Sequence, residues 1–223
     1  RSDRRGDSLR ERIARLMIKA GIIDYGMGNL HSVTSALAAV GANTFVSSDP
    51  AELAAADKLI LPGVGAFPDA MAALTASGLA GFIREQVKKT PLLGICLGMQ
   101  LLFDRGFEFR ECAGLGLIPG EVVKLTERPG RVYKIPHMGW NSLCFTPSAR
   151  DCALLEGIGE GEYAYFVHSY RAEVTDSADL AAYADYSEKI AAVVHRSGVY
   201  GTQFHPEKSE RVGLRMLANF VNL

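Results

Sequence analysis

Short apolar runs alternate with amphipathic stretches through the first half of the chain. Ile18 to Ile23 is apolar and ends in Asp24-Tyr25-Gly26-Met27-Gly28-Asn29, which predicts a strand followed by a glycine-bearing loop. Leu30, Val33, Leu37 and Val40 then share one helical face, with Asn29 as N-cap and Gly41 as the stop. Thr44-Phe45-Val46 predicts a second strand, Ala51 to Ala56 a short helix after Pro50, and Leu59-Ile60-Leu61 a third strand. Helices are predicted from about Pro68 to Thr75 and from Leu79 to Lys89, the latter with Leu79, Phe82, Ile83 and Val87 on one face. Pro91 to Ile95 reads as a fourth, buried strand, and Met99 to Phe103 as the helix after it. A β-α-β-α-β-α-β-α order implies a parallel sheet covered by helices.

Beyond residue 105 the helical period is lost. Gly114 to Leu125 and Arg131 to Phe145 carry β-branched residues, glycines and prolines, which predicts antiparallel strands and loops. Tyr163 to Tyr170 reads as one further strand. Leu180 to Tyr186, Ile190 to His195 and Val199 to Phe204 read as a three-stranded meander. Ser209 then stands where it would cap a last helix, in which Val212, Met216, Leu217, Phe220 and Val221 recur at helical spacing. The expected fold class is α/β, with a mostly parallel central sheet and an added antiparallel β region in the C-terminal half. No repeat or low-complexity linker divides residues 17–223, which are expected to form one domain.

Composition narrows the classes of function. The chain has 223 residues, a formal charge of −1 and a mean hydropathy of +0.08. Such a balance selects neither nucleic acid nor an anionic membrane. The charge is uneven: residues 1–16 hold six Arg against Asp3, Asp7 and Glu11, and are expected to be a disordered extension ahead of Met17. The four cysteines, Cys96, Cys112, Cys144 and Cys152, show neither a C-x-x-C pair nor zinc-ligand spacing. The expectation is a cytoplasmic protein with no disulfide framework, metal or cofactor. No apolar window is long enough to cross a membrane.

Chemistry concentrates in three places. Gly94-Ile95-Cys96-Leu97-Gly98 sets a thiol between glycines at a strand-to-helix turn, the pattern of a nucleophile elbow with sulfur in place of a hydroxyl. A turn that sharp crowds neighbouring backbone, so residues without Cβ fit on either side. A helix starting at Leu97 would direct its N–H groups at Cys96 and favour the thiolate. In Pro62-Gly63-Val64-Gly65-Ala66-Phe67, glycines directly after a buried strand free N–H groups to serve an oxyanion. In Gln203-Phe204-His205-Pro206-Glu207, an extended stretch would project His205 and Glu207 together, a base with a carboxylate to orient it. Each alone has a plainer reading: a buried thiol, a tight turn, a loop histidine. Together they make the parts of one thiol-dependent acyl-transfer machine.

With Gly94-Ile95-Cys96-Leu97-Gly98-Met99-Gln100 and Gln203-Phe204-His205-Pro206-Glu207, the chain resembles the class I glutamine amidotransferases. Within that family it is similar to the glutaminase subunits of imidazole glycerol phosphate synthases. The narrower likeness rests on Asp24 to Asn29, Pro62 to Phe67, His137-Met138-Gly139-Trp140-Asn141 and Lys208. The resemblance runs from about Ile18 to the C-terminus. It implies a flavodoxin-like sheet sandwich and hydrolysis of glutamine to glutamate and ammonia by a Cys96-His205-Glu207 triad. It further implies an oxyanion hole from Leu97 and the Gly63-Val64-Gly65 turn, with substrate contacts at Gln100, His168, Ser169 and Tyr170. The implied partner is a (β/α)8 cyclase subunit in a heterodimer, which takes the ammonia toward imidazole glycerol phosphate. Met27, Asn29, Trp140, Tyr165 and Lys208 are the candidates for the docking face. Amidotransferases of the guanine, anthranilate or pyridoxal pathways, and a non-catalytic regulatory subunit, are the other readings.

Overall fold

The computed structural model describes residues 18–126 and 133–223. The extension expected at residues 1–16, and the start of the stretch 131–145, lie outside the described residues. The first strands are β1 (Lys19–Ile23), β2 (Asn43–Ser47), β3 (Lys58–Gly63) and β4 (Leu92–Cys96). Every residue of β3 and β4 is buried, as strands covered by helices on both faces must be. Between and after them lie α1 (Leu30–Ala39), α2 (Pro50–Leu53), α3 (Phe67–Ala76), α4 (Leu79–Gln86) and α5 (Leu97–Gln100). Asn29 caps α1 as expected, accepting from the Ser32 N–H at 3.4 Å.

The later strands are β5 (Phe103–Gly106), β6 (Cys112–Ala113), β7 (Ile118–Lys124), β8 (His137–Ser142), β9 (Cys144–Phe145), β10 (Tyr163–His168) and β11 (Tyr170–Val174). The meander is β12 (Leu180–Asp185), β13 (Lys189–Arg196) and β14 (Val199–Thr202), and α6 (Glu210–Val221) follows. The main sheet has eight strands in the order β2-β1-β3-β4-β14-β13-β12-β9. The pairings from β2 to β14 are parallel and those from β14 to β9 antiparallel. A four-stranded sheet, β11-β7-β5-β6, and a two-stranded ribbon, β10-β8, complete the β structure. One apolar layer includes Val33 and Leu37 of α1 and Leu217 and Phe220 of α6. The other includes Leu74, Leu79, Ile83 and Met99 from α3, α4 and α5.

Three local expectations are corrected. The helix after the elbow is a single turn, Leu97–Gln100, because the Leu115 and Leu117 amides bind the Leu101 and Leu102 carbonyls at 2.8 Å and draw the chain into β5. The run Tyr163 to Tyr170 is two strands: β10 pairs with β8, and after Ser169 the chain joins β7. Ser209 occupies the N-cap position of α6 but its hydroxyl makes no cap bond. It bridges the His205 carbonyl at 2.7 Å and the Tyr165 amide at 2.9 Å instead.

The glycines of the elbow have a specific cause. A Cβ on Gly98 would lie 1.8 Å from the Leu61 carbonyl oxygen, and one on Gly94 would lie 2.7 Å from the Gly98 oxygen. The turn is pressed onto β3 and β4, and only bare Cα atoms allow that approach. Gly98→Ala is therefore expected to destabilise the protein by about 3 kcal/mol or more. Gly81→Ala, inside α4 with open space around the new methyl, should stabilise it by up to about 1 kcal/mol. Urea denaturation of the two variants checks both signs.

Candidate active site

The parallel strands end at one edge of the sheet, and the candidate residues collect there. The loop Asp24 to Asn29 leaves β1, Gly63 ends β3, Cys96 ends β4, and His205 stands just past the end of β14. Because β14 runs parallel to β4, with Thr202 opposite Ile95, it delivers His205 to the thiol rather than to the far side of the sheet.

Cys96 is 7% exposed and has φ 55°, a left-handed conformation that a non-glycine residue adopts only under constraint. Its sulfur lies 3.8 Å from the Val167 carbonyl and 3.9 Å from Gln203 Nε2. Burial by itself would lower the His205 pKa. Hydrogen bonds and charge from Cys96, and then from Glu207, overcome this and push it up to about 9. His205 therefore carries a proton through neutral pH.

Glu207 Oε1 accepts from His205 Nδ1 at 2.7 Å, and its side chain is fully buried. That bond leaves Nε2 for the sulfur. The route to this pairing differs from the extended stretch expected from sequence. Pro206–Lys208 is a 3-10 turn, and the tight turn itself carries the carboxylate back under the ring. The base is pinned from behind as well: its amide donates to the Tyr165 carbonyl at 2.9 Å, and the buried Ser209 hydroxyl holds its carbonyl.

A cavity of about 280 Å³ opens over the sulfur, enough for one small amino acid. Val64, Gly65, Leu97, Gln100, His168, Ser169 and Tyr170 line it beside Cys96 and His205, so nearly all the sequence candidates for oxyanion and substrate contacts meet there. Gly63 does not line it; that glycine sits underneath, where a Cβ would press on the Tyr25 hydroxyl. Gln100 is buried, and its Nε2 donates to the Tyr170 carbonyl and to Gln203 Oε1, both at 3.0 Å. A larger groove of about 590 Å³ between Phe145 and Glu156 lies away from the triad.

Three residues at the site are not among the sequence candidates: Val167, whose carbonyl faces the sulfur, Glu108 and Gln203. Glu108 lines the cavity and accepts the Phe67 N–H at 2.7 Å. It sits in a polar loop with no motif to flag it. Gln203 is fully buried and bridges Gln100 to Cys96; its signal was there, two residues before His205 on an extended run.

The Gly63–Gly65 turn has an unexpected partner. Gly65 has φ +102°, and the Val64 N–H donates to the Met27 carbonyl at 3.3 Å instead of facing the cavity. Of the docking candidates, Trp140 and Tyr165 meet across the β8–β10 ribbon with ring centroids 5.9 Å apart, and Trp140 is 46% exposed. Met27 lies against the oxyanion turn, Lys208 is exposed, and Asn29 spends its side-chain oxygen on capping α1. Among the described residues no group of three or more His, Cys, Asp or Glu could hold a metal ion, and no helix is long and apolar enough to cross a membrane. All four cysteines are free thiols.

The family model for glutamine amidotransferase class-I matches residues 21–223. The imidazole glycerol phosphate synthase subunit HisH of Shouchella clausii is 52% identical over 206 residues, covering 91% of this chain and 97% of that protein. The subunit of the same name from Geobacillus kaustophilus is also 52% identical, covering 91% and 96%. Among solved structures, PurLQS from Thermotoga maritima is similar in fold, with a TM-score of 0.70, 20% identity, and 92% and 98% of the two chains covered.

The electrostatics predict a stability profile with a maximum near neutrality. His205 binds its proton more tightly folded than unfolded, so its contribution is full below about pH 6.5 and is lost as pH rises through about 9. His137 and His168, held down to about 4 and about 3 by burial, act oppositely: their contribution is full above about pH 6.5 and is lost on acidification. Denaturation midpoints should fall on both sides. By NMR, the His205 ring should titrate near pH 9 in the wild type, and Cys96→Ala should lower that midpoint more than Glu207→Gln.

Proposed function

Because this chain belongs to the class I glutamine amidotransferases, we propose that Cys96, His205 and Glu207 are the triad that hydrolyses its glutamine. The chain is the glutamine-hydrolysing subunit of an imidazole glycerol phosphate synthase and serves histidine biosynthesis. We take residues 17–223 as one amidotransferase domain. The observation that carries the triad is the strained, cavity-facing Cys96 beside an imidazole whose far nitrogen is held by a buried carboxylate at 2.7 Å.

The steps follow from the geometry. With the Cys96 proton transferred to His205 Nε2, the sulfur attacks the carboxamide carbon, and its electron pair makes the C–S bond while the carbonyl oxygen becomes an oxyanion. The proton held by His205 passes to the leaving nitrogen, the C–N bond breaks, and ammonia departs from a γ-glutamyl thioester. Water then attacks the thioester, His205 accepting its proton, and glutamate leaves as the sulfur recovers. Glu207 keeps Nδ1–H directed to itself and stabilises the imidazolium. Glu108, the carboxylate lining the cavity, suits the substrate's ammonium, and the Ser169–Tyr170 backbone suits its carboxylate end.

The oxyanion is assigned to the Leu97 N–H at the start of α5 and to a second donor on the Gly63–Gly65 turn. With the Val64 N–H bound to the Met27 carbonyl, the second donor is engaged elsewhere. Losing one such donor typically costs on the order of 10²–10³ in rate. The turn is therefore a gate, and Met27 is its catch. The partner that opens it is the cyclase subunit, proposed as a (β/α)8 barrel forming a heterodimer with this chain in the cytoplasm. It seats on the face bearing Met27, Trp140, Tyr165 and Lys208, with Asn29 at its margin, and takes up the ammonia.

Mixing the protein with a cyclase subunit and its nucleotide ligand should raise glutamate release by about 10² or more over the subunit alone. Equal rates with and without the liganded partner would remove the gate. Cys96→Ala should lower glutaminase turnover by about 10⁴-fold or more, and an undiminished rate would exclude the thiol mechanism.

A further inference from the structure

His137 lies on β8 beside the exposed Met138 and is itself only 3% exposed. Tyr186 and Phe166 stack on its ring, with centroids 4.1 Å and 4.9 Å away, so the ring is held in one plane. Its Nδ1 is 3.0 Å from His168 Nε2, and His168 Nδ1 is 2.8 Å from the Tyr170 carbonyl oxygen.

Chemistry sets the direction of each bond. A carbonyl only accepts, so His168 Nδ1 carries the hydrogen. Burial keeps His168 neutral, so its Nε2 is bare and accepts from His137 Nδ1. His137 is neutral for the same reason, and its bare Nε2 faces the donor Asn141 Nδ2 at 3.4 Å. Asn141 is fixed in turn by donating to the Asp185 carbonyl at 3.0 Å and accepting the Ser142 N–H at 2.8 Å. The result is a one-way chain from Asn141 through His137 and His168 to the Tyr170 carbonyl. That carbonyl also accepts from Gln100 Nε2 at 3.0 Å. Two donors converging on one oxygen hold the Tyr170–Arg171 peptide, and with it the end of the Ser169–Tyr170 segment, against rotation.

We propose that His137 is a positioning residue for glutamine, which through His168 holds the Ser169–Tyr170 backbone where the substrate's amino-acid end docks. The inference rests on the reading of residues 168–170 as the substrate wall. The chain starts on β8, the strand that also carries Trp140, so it ties the proposed docking face to that wall.

Two measurements test it. In ¹⁵N spectra of the wild-type protein at pH 7, both rings should be the Nδ1–H tautomer and should not titrate between pH 5 and 8. An Nε2–H tautomer at either ring, or a midpoint near the ordinary value of about 6.5, overturns the relay. In the complex with the cyclase subunit, His137→Phe keeps an aromatic ring between its neighbours but removes the donor. It should raise KM for glutamine about tenfold with kcat changed much less, the effect of losing one buried hydrogen bond. His137→Asn restores an N–H near the Nδ1 position and should recover most of that loss. An unchanged KM in His137→Phe, or a fall in kcat alone, overturns the positioning role. A wild-type complex that releases no glutamate overturns the substrate reading instead, while the tautomer spectra decide the relay separately.

Discussion

The parallel pairing of β14 with β4 is the constraint on which the site depends. Gly201 lies opposite Gly94 and Thr202 opposite Ile95, so both strands end at the same edge. The nucleophile and the Gln203–Glu207 segment then meet although Gln203 and Cys96 are 107 residues apart. Close packing supports the register. A Cβ on Gly201 would press on Met99 of the elbow helix, as one on Gly98 would press on β3. A strand that slipped by one residue would exchange its side chains between the two apolar layers and move His205 away from the thiol.

Around that pairing the molecule holds two costly features. A left-handed cysteine costs about 1–3 kcal/mol, and it persists because the turn is clamped between fully buried strands. A protonated imidazole in a buried place is costly as well, and it persists because the Glu207 carboxylate and the thiol flank it. The neighbouring histidines show the contrast. His137 and His168 have no carboxylate among their hydrogen-bond partners, so burial prevails, at His168 even over its bond to the Tyr170 carbonyl, and keeps both neutral. One cleft thus contains a charged histidine suited to moving a proton and two neutral ones suited to directed hydrogen bonding.

Much of the fold was legible in the chain. The buried runs at Leu59–Leu61 and Leu92–Ile95, the capped face of α1 and the meander before α6 follow from periodicity and burial. The elements read wrongly are those where a partner distant in sequence overrides local preference. Met99 to Phe103 favours a helix, but the amides of Leu115 and Leu117 end it after one turn. Ser209 is well suited to cap, yet its buried hydroxyl is spent on the His205 carbonyl and the Tyr165 amide, which folding brings to it.

By itself the sequence determined which groups are candidates for the chemistry: a thiol between glycines, a histidine two residues before a glutamate, and a glycine-rich turn after a buried strand. These are local patterns, and steric rules make them readable. Tertiary structure alone decided how they are used. It placed Gln203 and Glu108 in the cleft, bent Glu207 back by a tight turn, tied the Val64 N–H to the Met27 carbonyl, and set two neutral histidines in series behind the Ser169–Tyr170 side of the cavity. Each of these depends on an atom that only folding brings within hydrogen-bond reach, and no periodicity along the chain encodes a distance between strands.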